Sequence, residues 1–137
     1  MRASYLALVI VLGLLSPARA GDEFDAAKAL IRSQVDAIGR DDSAAAYAFA
    51  SPRIQKLFPG SDTFLKMIKD KYPPIYRHKL FSFGDSHEES GEIAQEVLII
   101  DAEGTTWKGL YTIEHEAGDG SLKVSGCMLV QTPGQPV

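Results

Sequence analysis

Residues 92–115 read EIAQEVLIIDAEGTTWKGLYTIEH. A run of mostly apolar residues up to Ile100 is followed by a short turn that ends in Gly104, and then by a second run, Thr105–His115. In the second run apolar and polar residues alternate, which is typical of a half-buried β-strand. The stretch therefore predicts an antiparallel hairpin with a compact turn, in which the glycine serves a left-handed position.

Two further segments extend this hairpin into a larger sheet. Residues 75–83 predict a strand that precedes a polar loop, 84–91, and residues 122–130 predict a strand that follows a glycine-rich turn, 118–120. Short connections between successive strands favour neighbouring antiparallel pairs. We therefore expect four strands in chain order.

The first half of the chain has helical periodicity instead. From residue 22 to residue 38, apolar residues recur in steps of three and four, which places them on one face of a helix that Gly39 ends. Three shorter helical segments are predicted at 43–50, 53–58 and 62–71. The first of them is expected to have its N-cap at Asp41 or Asp42, and the second should turn Ile54, Leu57 and Phe58 inward. The third is expected to have its N-cap at Ser61 and to end before Pro73 and Pro74. Its apolar side consists of Phe64, Leu65, Met67 and Ile68.

Together these segments predict an α+β domain, in which N-terminal helices are packed on one face of a curved antiparallel four-stranded sheet. Two strands contain runs that are apolar on both faces, Val97–Ile100 and Cys127–Val130. Because the helices can cover only one face, the other needs a cover of its own. A second copy of the chain would supply it, so we expect a homodimer through the sheet.

Residues 1–20 have the pattern of a cleavable signal peptide. Arg2 precedes an uncharged apolar run that is too short for a stable bilayer anchor, and Ala18 and Ala20 suit cleavage before Gly21. The sequence thus predicts a single domain at 21–131 with a flexible tail at 132–137. We expect a periplasmic or secreted protein that has no membrane anchor after signal cleavage.

Charge and cysteine content narrow the class of protein further. Removing Arg2 and Arg19 from 14 basic side chains leaves 12 against 18 acidic ones, a net charge of −6 in the mature chain, which disfavours nucleic acid as a partner. The chain contains one cysteine, Cys127, so it cannot form an internal disulfide. Its apolar surroundings favour a buried, inert thiol over a nucleophile, a redox thiol or an intermolecular disulfide.

Several motifs resemble those of an uncharacterised bacterial family of exported proteins, known as a domain of unknown function. The most distinctive are the Phe-Ala-Ser-Pro stretch at 49–52 and the Tyr-x-Pro stretch at 72–74. The remaining matches are Gln34 with Ala37, Asp41-Asp42, Ala46-Tyr47, Ile54, Phe64 with Met67, Tyr76-Arg77, Gly104 with Trp107 and Tyr111, and Gly126-Cys127. The resemblance covers nearly the whole mature chain.

The order of elements also resembles the cone-shaped, cystatin-like fold shared by nuclear transport factor two, ketosteroid-isomerase-type enzymes and polyketide-cyclase-like proteins. That resemblance implies a helix-lined pocket against a curved sheet, and often dimerisation through the sheet. It does not imply an activity, because this fold occurs in enzymes, carriers and assembly domains.

Candidate ligand-binding residues are aromatic or basic side chains at the ends of helices and strands, namely Tyr47, Tyr76, Arg77, Trp107 and Tyr111. Trp107 and Tyr111 share one strand face, with Gly109 between them. Either they line a cavity or they fill the core. Arg77 either holds an anionic ligand or pairs with Asp41 or Asp42 to join helix to strand, and we favour the structural role.

Two classes of function remain open. The first is a non-catalytic domain that binds a small apolar ligand or another protein. The second is a small acid–base enzyme of the ketosteroid-isomerase or polyketide-cyclase type, for which Asp42, Tyr47, Tyr76, His78, Asp101, Tyr111 and His115 are the candidate groups. The sequence contains no metal-binding, phosphate-loop or nucleophile-elbow motif, so we expect neither metal nor cofactor.

Overall fold

A computed structural model of the chain describes residues 20–133. All but the last residue of the predicted signal peptide (residues 1–19) and the end of the predicted tail (residues 134–137) lie outside this range. Five helices come first: α1 (Ala20–Gly39), α2 (Ser43–Ala48), α3 (Pro52–Leu57), α4 (Ser61–Lys71) and α5 (Pro73–Tyr76). Four strands follow: β1 (His78–Glu89), β2 (Glu92–Asp101), β3 (Thr106–His115) and β4 (Leu122–Gln131).

The strands form one antiparallel sheet in the order β1-β2-β3-β4, as predicted. Helix α1 lies on one face and buries the predicted side chains Ala27, Ile31, Val35 and Ile38, with Phe24 half-buried. The buried sheet residues that meet them include Val97, Ile99, Tyr111 and Ile113. The α+β class and the helix-on-sheet arrangement are therefore confirmed.

The end of α1 differs from the prediction, because Asp41 rather than Gly39 takes the left-handed position, at φ 59°. The Asp42 N–H donates to the Ala37 carbonyl at 2.9 Å, and the Asp41 N–H donates to the Ile38 carbonyl at 3.1 Å. These two bonds form a Schellman motif, in which aspartate replaces the usual glycine. Asp42 then caps α2 by accepting from the Ala45 N–H, as expected.

Two details of the short helices were also predicted wrongly. Ser61 is the first residue of α4, and the N-cap is Gly60, whose φ of 92° favours glycine. Leu57 is 61 % exposed, because α3 has only six residues and Ile54 and Phe58 already occupy its inner side.

The predicted first strand begins later and ends later than expected. Residues 73–76 form the helical turn α5, because Pro73 supplies a helical φ at the first position and the Tyr72 carbonyl accepts from the Ile75 N–H. The predicted loop 84–91 is mostly strand. The connection shrinks to Ser90 and Gly91, both at positive φ, as a two-residue type I′ hairpin requires.

A β-bulge accommodates the extra length of β1 between Phe83 and Ser86. The fully buried Gln95 amide donates to the carbonyls of Gly84 and Asp85, and the Ser86 hydroxyl donates to the Gln95 side-chain oxygen. This side chain therefore satisfies backbone groups that the bulge removes from the strand ladder.

The face of the sheet opposite the helices is not covered by residues 20–133. Its exposed apolar side chains come from three strands: Leu80, Leu98, Met128 and Val130. The doubly apolar runs of β2 and β4 are thus buried on one side only within a single chain.

Gly109 on β3 marks a close approach between strands on the helix-facing side. A Cβ added there would lie 2.6 Å from Val97 Cγ2 and 3.0 Å from Leu129 Cδ2. Such distances require neighbouring side chains or backbone to shift.

We expect Gly109→Ala to lower the free energy of unfolding by about 1–3 kcal/mol through overpacking. Urea denaturation followed by circular dichroism measures the change. The matched control is Gly118→Ala in an exposed turn, where a Cβ meets no atom within 4 Å. The control should change stability by less than about 0.5 kcal/mol. Equal stability of the two variants would contradict the close approach.

Candidate functional site

A cavity of about 260 Å³ lies between α3, α4, α5 and the β3–β4 half of the sheet. Its lining is mainly aliphatic and aromatic. The lining residues are Gln34, Ile38, Ala50, Arg53, Ile54, Phe58, Phe64, Met67, Ile68, Tyr72, Ile75, Tyr111, Val124, Ser125, Gly126 and Cys127. The cavity is thus an apolar chamber against the concave face of the sheet.

The helical wall of the cavity is attached to β4 by hydrogen bonds. The Ser51 N–H donates to the Val124 carbonyl at 2.8 Å, and the Val124 N–H donates to the Phe49 carbonyl at 2.9 Å. Farther along the strand, the Tyr72 hydroxyl donates to the Cys127 carbonyl at 3.2 Å. These bonds fix the distance between helices and strand on both sides of the chamber.

The polar side chains of the lining are mostly engaged in bonds to backbone. The buried Gln34 amide donates to the Ala46 carbonyl at 3.2 Å, and the Ser125 hydroxyl donates to the Thr112 carbonyl at 3.0 Å. Arg53 donates to the Ser125 carbonyl at 2.9 Å from the rim. No carboxylate or histidine lines the chamber within residues 20–133.

Tyr111 and Cys127 lie side by side at the base of the cavity. Burial raises the pKa of the Tyr111 hydroxyl well above its usual value, and burial raises the pKa of the Cys127 thiol to about 12. Cys127 is half-buried and forms no disulfide. Both groups are therefore protonated at neutral pH, which argues against a nucleophilic thiolate here.

The five predicted ligand-binding residues do not come together. Tyr111 lines the cavity, whereas Trp107 lines an adjoining open groove that shares Phe58 and Tyr72 with it. Tyr47 packs against Phe64, and its hydroxyl donates to the Gln55 carbonyl at 2.9 Å. Tyr76 and Arg77 border a separate depression beyond α5.

Arg77 joins helix to strand, but through different partners from those expected. Its guanidinium donates to the Gly39 carbonyl at 3.0 Å and to the Tyr76 hydroxyl at 2.8 Å. The Tyr76 hydroxyl donates to Asp41, which also forms a 2.7 Å ion pair with Lys69. The bonds from Lys69 and Tyr76 lower the pKa of Asp41, so the carboxylate stays charged at the end of α1.

Asp101 fixes the orientation of Trp107. One carboxylate oxygen accepts from the N–H groups of Glu103 and Thr105, and the other accepts from Trp107 Nε1 at 3.0 Å. The indole bond is the main reason that the pKa of Asp101 lies below its usual range. Asp101 thus stabilises the turn and also positions an aromatic side chain at the groove.

The remaining acid–base candidates lie at separate places on the molecule. A ring nitrogen of His78 is 3.2 Å from the Pro74 carbonyl, and His115 Nε2 is 2.9 Å from a Glu23 oxygen at the surface. Asp42 caps α2. A pocket that abstracts protons needs a base within reach of the substrate, and the described lining supplies none.

Sequence reasoning missed Arg53, Tyr72 and Ser125 as cavity residues. It also overlooked a signal at Gln34, a polar residue on the otherwise apolar face of α1. In residues 20–133, no group of three or more His, Cys, Asp or Glu side chains could hold a metal ion. No helix in that range is long and apolar enough to cross a membrane.

A cone of helices on a curved four-stranded sheet, with a cavity between the layers, defines the NTF2-like class of fold. Two solved structures share it, and both are described as NTF2-like proteins of unknown function. The one from Silicibacter pomeroyi has a TM-score of 0.54 and 15 % identity, over 83 % of this chain and 99 % of its own. The one from Shewanella baltica has a TM-score of 0.58 and 12 % identity, over 85 % of this chain and 99 % of its own.

The chain belongs to the family described as Domain of unknown function (DUF4864), whose model matches residues 21–137. A search of curated proteins finds no match. The predicted family resemblance and the cone fold are therefore confirmed.

Protonation of Asp101 should be visible through Trp107, the only tryptophan in the sequence. Because the folded pKa is lowered, the contribution of the carboxylate to stability is complete above its unfolded pKa and is lost as pH falls through the folded value. We expect tryptophan fluorescence to stay constant from pH 7 to about 4 and to change below that.

Asp101→Asn should alter the emission already at pH 7, because asparagine has one acceptor oxygen in place of two and cannot accept from both the turn N–H groups and the indole, and it should remove the acid transition. Asp119→Asn is the matched control, because Asp119 also has a lowered pKa but binds Ser121 in another turn. Identical acid titrations for Asp101→Asn and the unmodified chain would contradict the assignment.

Proposed function

We propose that this chain is an exported, non-catalytic binding domain whose cavity takes a small apolar ligand. The cavity itself is the observation that supports this function. At about 260 Å³ it exceeds the roughly 150 Å³ chamber that accepts benzene, and it is just below the roughly 300–1,000 Å³ of drug-sized sites. The ligand is therefore about the size of a two-ring compound or a medium-length alkyl chain.

The chemistry of the lining supports binding over catalysis. Buried apolar walls gain free energy from a ligand that displaces water, at roughly 25 cal/mol for each Å² removed from solvent. The Gln34 and Ser125 side chains already bond to backbone carbonyls, and the Cys127 thiol and the Tyr111 phenol stay protonated at neutral pH. The lining is therefore suited to holding an apolar molecule rather than to reacting with it.

Export is part of the same proposal. Cleavage before Gly21 would leave α1 nearly complete, since that helix begins at Ala20. The protein would then work in the periplasm or outside the cell. Its ligand or partner would accordingly be a molecule of the same compartment.

A matched pair of variants on α3 tests the cavity. Ile54 lines it, whereas Leu57 on the same helix is exposed and does not. Ile54→Trp should fill the cavity and weaken binding of the uncharged fluorescent probe N-phenyl-1-naphthylamine about tenfold or more. Leu57→Trp should leave probe binding unchanged.

Native mass spectrometry of the same variants, recovered from a periplasmic extract, gives a second readout. We expect a chain that starts at Gly21 and carries a reproducible added mass, which Ile54→Trp removes. Bare protein together with equal probe binding by both variants would contradict the proposal.

We propose in addition that the chain is a homodimer through the outer face of its sheet. Leu98 and Val130 flank Lys108 in one cross-strand row, and Met128 lies in the next row opposite Leu110, whose other partner is Glu96. Lys108 and Glu96 form no ion pair with any described residue. In a two-fold dimer, Lys108 of each copy can face Glu96 of the other. Two such ion pairs would then border the apolar contact.

Light scattering on the chain of residues 21–137 should give the molar mass of a dimer at tens of micromolar. Val130→Glu should give a monomer, since it places a carboxylate among the exposed apolar side chains of the proposed interface. Leu57→Glu, an equally exposed leucine-to-acid change on the helical side, should stay dimeric. A monomeric unmodified chain would contradict this interface.

A further inference from the structure

The rim of the cavity carries one charged side chain, and it is basic. Of the residues that line the chamber, Arg53 alone bears a charge within the described range. The mature chain has a net charge of −6, so a cation at the mouth of its apolar chamber opposes the general trend of the surface. Arg53 is therefore a candidate for contact with a bound ligand.

Arg53 is held at the rim with most of its donors free. Its guanidinium gives one N–H to the buried Ser125 carbonyl at 2.9 Å, which fixes the group against β4. A guanidinium has five N–H donors. No carboxylate of the described residues lies within 4.0 Å of it. The residue is therefore oriented but not neutralised.

The surroundings of Arg53 define the shape of a suitable ligand. Apolar walls behind the rim are formed by Ile54 on α3, Phe58 just after it, Phe64 on α4 and Val124 on β4. A planar, delocalised cation beside such walls matches a molecule with an apolar tail and a planar anionic head. Carboxylates accept two parallel N–H bonds from a guanidinium, and such bonds are about twice as strong as neutral ones.

We propose that the cavity selects apolar monocarboxylates, whose tail occupies the chamber while the carboxylate pairs with Arg53. This inference rests on the proposed function, because it names the chemical class of ligand for the same cavity. Arg53 acts as the specificity-determining residue. The apolar tail supplies affinity, and the exposed ion pair supplies discrimination that salt weakens.

Octanoate and 1-octanol test the inference, because they share a chain length and differ in the head group. Each is titrated into the unmodified chain carrying N-phenyl-1-naphthylamine, and displacement gives its affinity. At pH 7 octanoate should bind about tenfold tighter than octanol, since the carboxylate accepts charge-assisted hydrogen bonds that the hydroxyl group does not. Raising the salt concentration should narrow the difference.

Arg53→Gln should bring the two affinities together, because it should weaken octanoate binding far more than octanol binding. Arg53 is exposed, so this variant should retain its fold. Lys56→Gln on the same helix is the matched control, since it removes an equal charge from an exposed position outside the cavity lining. It should keep the preference for octanoate.

The outcomes separate the two proposals. Equal binding of octanol and octanoate by the unmodified chain would overturn the role of Arg53 and leave the apolar cavity in place. Equal loss of preference in both variants would overturn it too, because a general field effect would then explain the selectivity. Failure of octanol, octanoate and the probe to bind at all would overturn the proposed function itself.

Discussion

The pairing of residues 49–51 with β4 is the constraint on which the architecture of the cavity depends. Two backbone hydrogen bonds, from Ser51 to Val124 and from Val124 to Phe49, hold the junction of α2 and α3 against the last strand. Because backbone groups set this distance, the side chains of α3 and α4 do not have to meet the sheet. Buried Ser51 then caps α3 by accepting from the Ile54 N–H, which directs Ile54 and Phe58 over the opening. The void is thus a product of secondary-structure geometry rather than of poor packing.

Much of the fold follows from periodicity in the sequence. The apolar spacing of α1, the four strands in order and the turn at Gly104 were all predicted, because each depends on local pattern and turn chemistry. The larger errors concern hydrogen bonds that apolar periodicity does not encode. Gln95 turns a polar loop into bulged strand by satisfying its carbonyls, and the Tyr72 carbonyl and Pro73 turn the start of a strand into α5. A pattern of side chains does not reveal such partners in advance.

The candidate site was harder to predict than the fold. Alternation correctly placed Trp107 and Tyr111 on one face of β3, but it did not indicate whether that face meets the helices or which helix lies above each residue. Tyr76 and Arg77 were chosen for their residue types, and they instead fasten α5 to the end of α1 beside Asp41. No pattern in the sequence indicated Arg53 as a binding residue. Its position at the rim depends on its bond to Ser125, 72 residues away, and on the apolar walls behind it. The rim of the cavity is formed by helices and strands that are far apart in the sequence, so local patterns do not predict which residues lie on it.

The bulge in β1 has a consequence for behaviour at high concentration. A twelve-residue strand at the border of a sheet offers a long row of unpaired backbone groups, on which another chain can add a strand. The displacement at Gly84 and Asp85 interrupts that row, and the acidic side chains Glu88 and Glu89 repel an approaching strand of the same chain. Gln95, by maintaining the irregularity, therefore disfavours the addition of another strand at this edge.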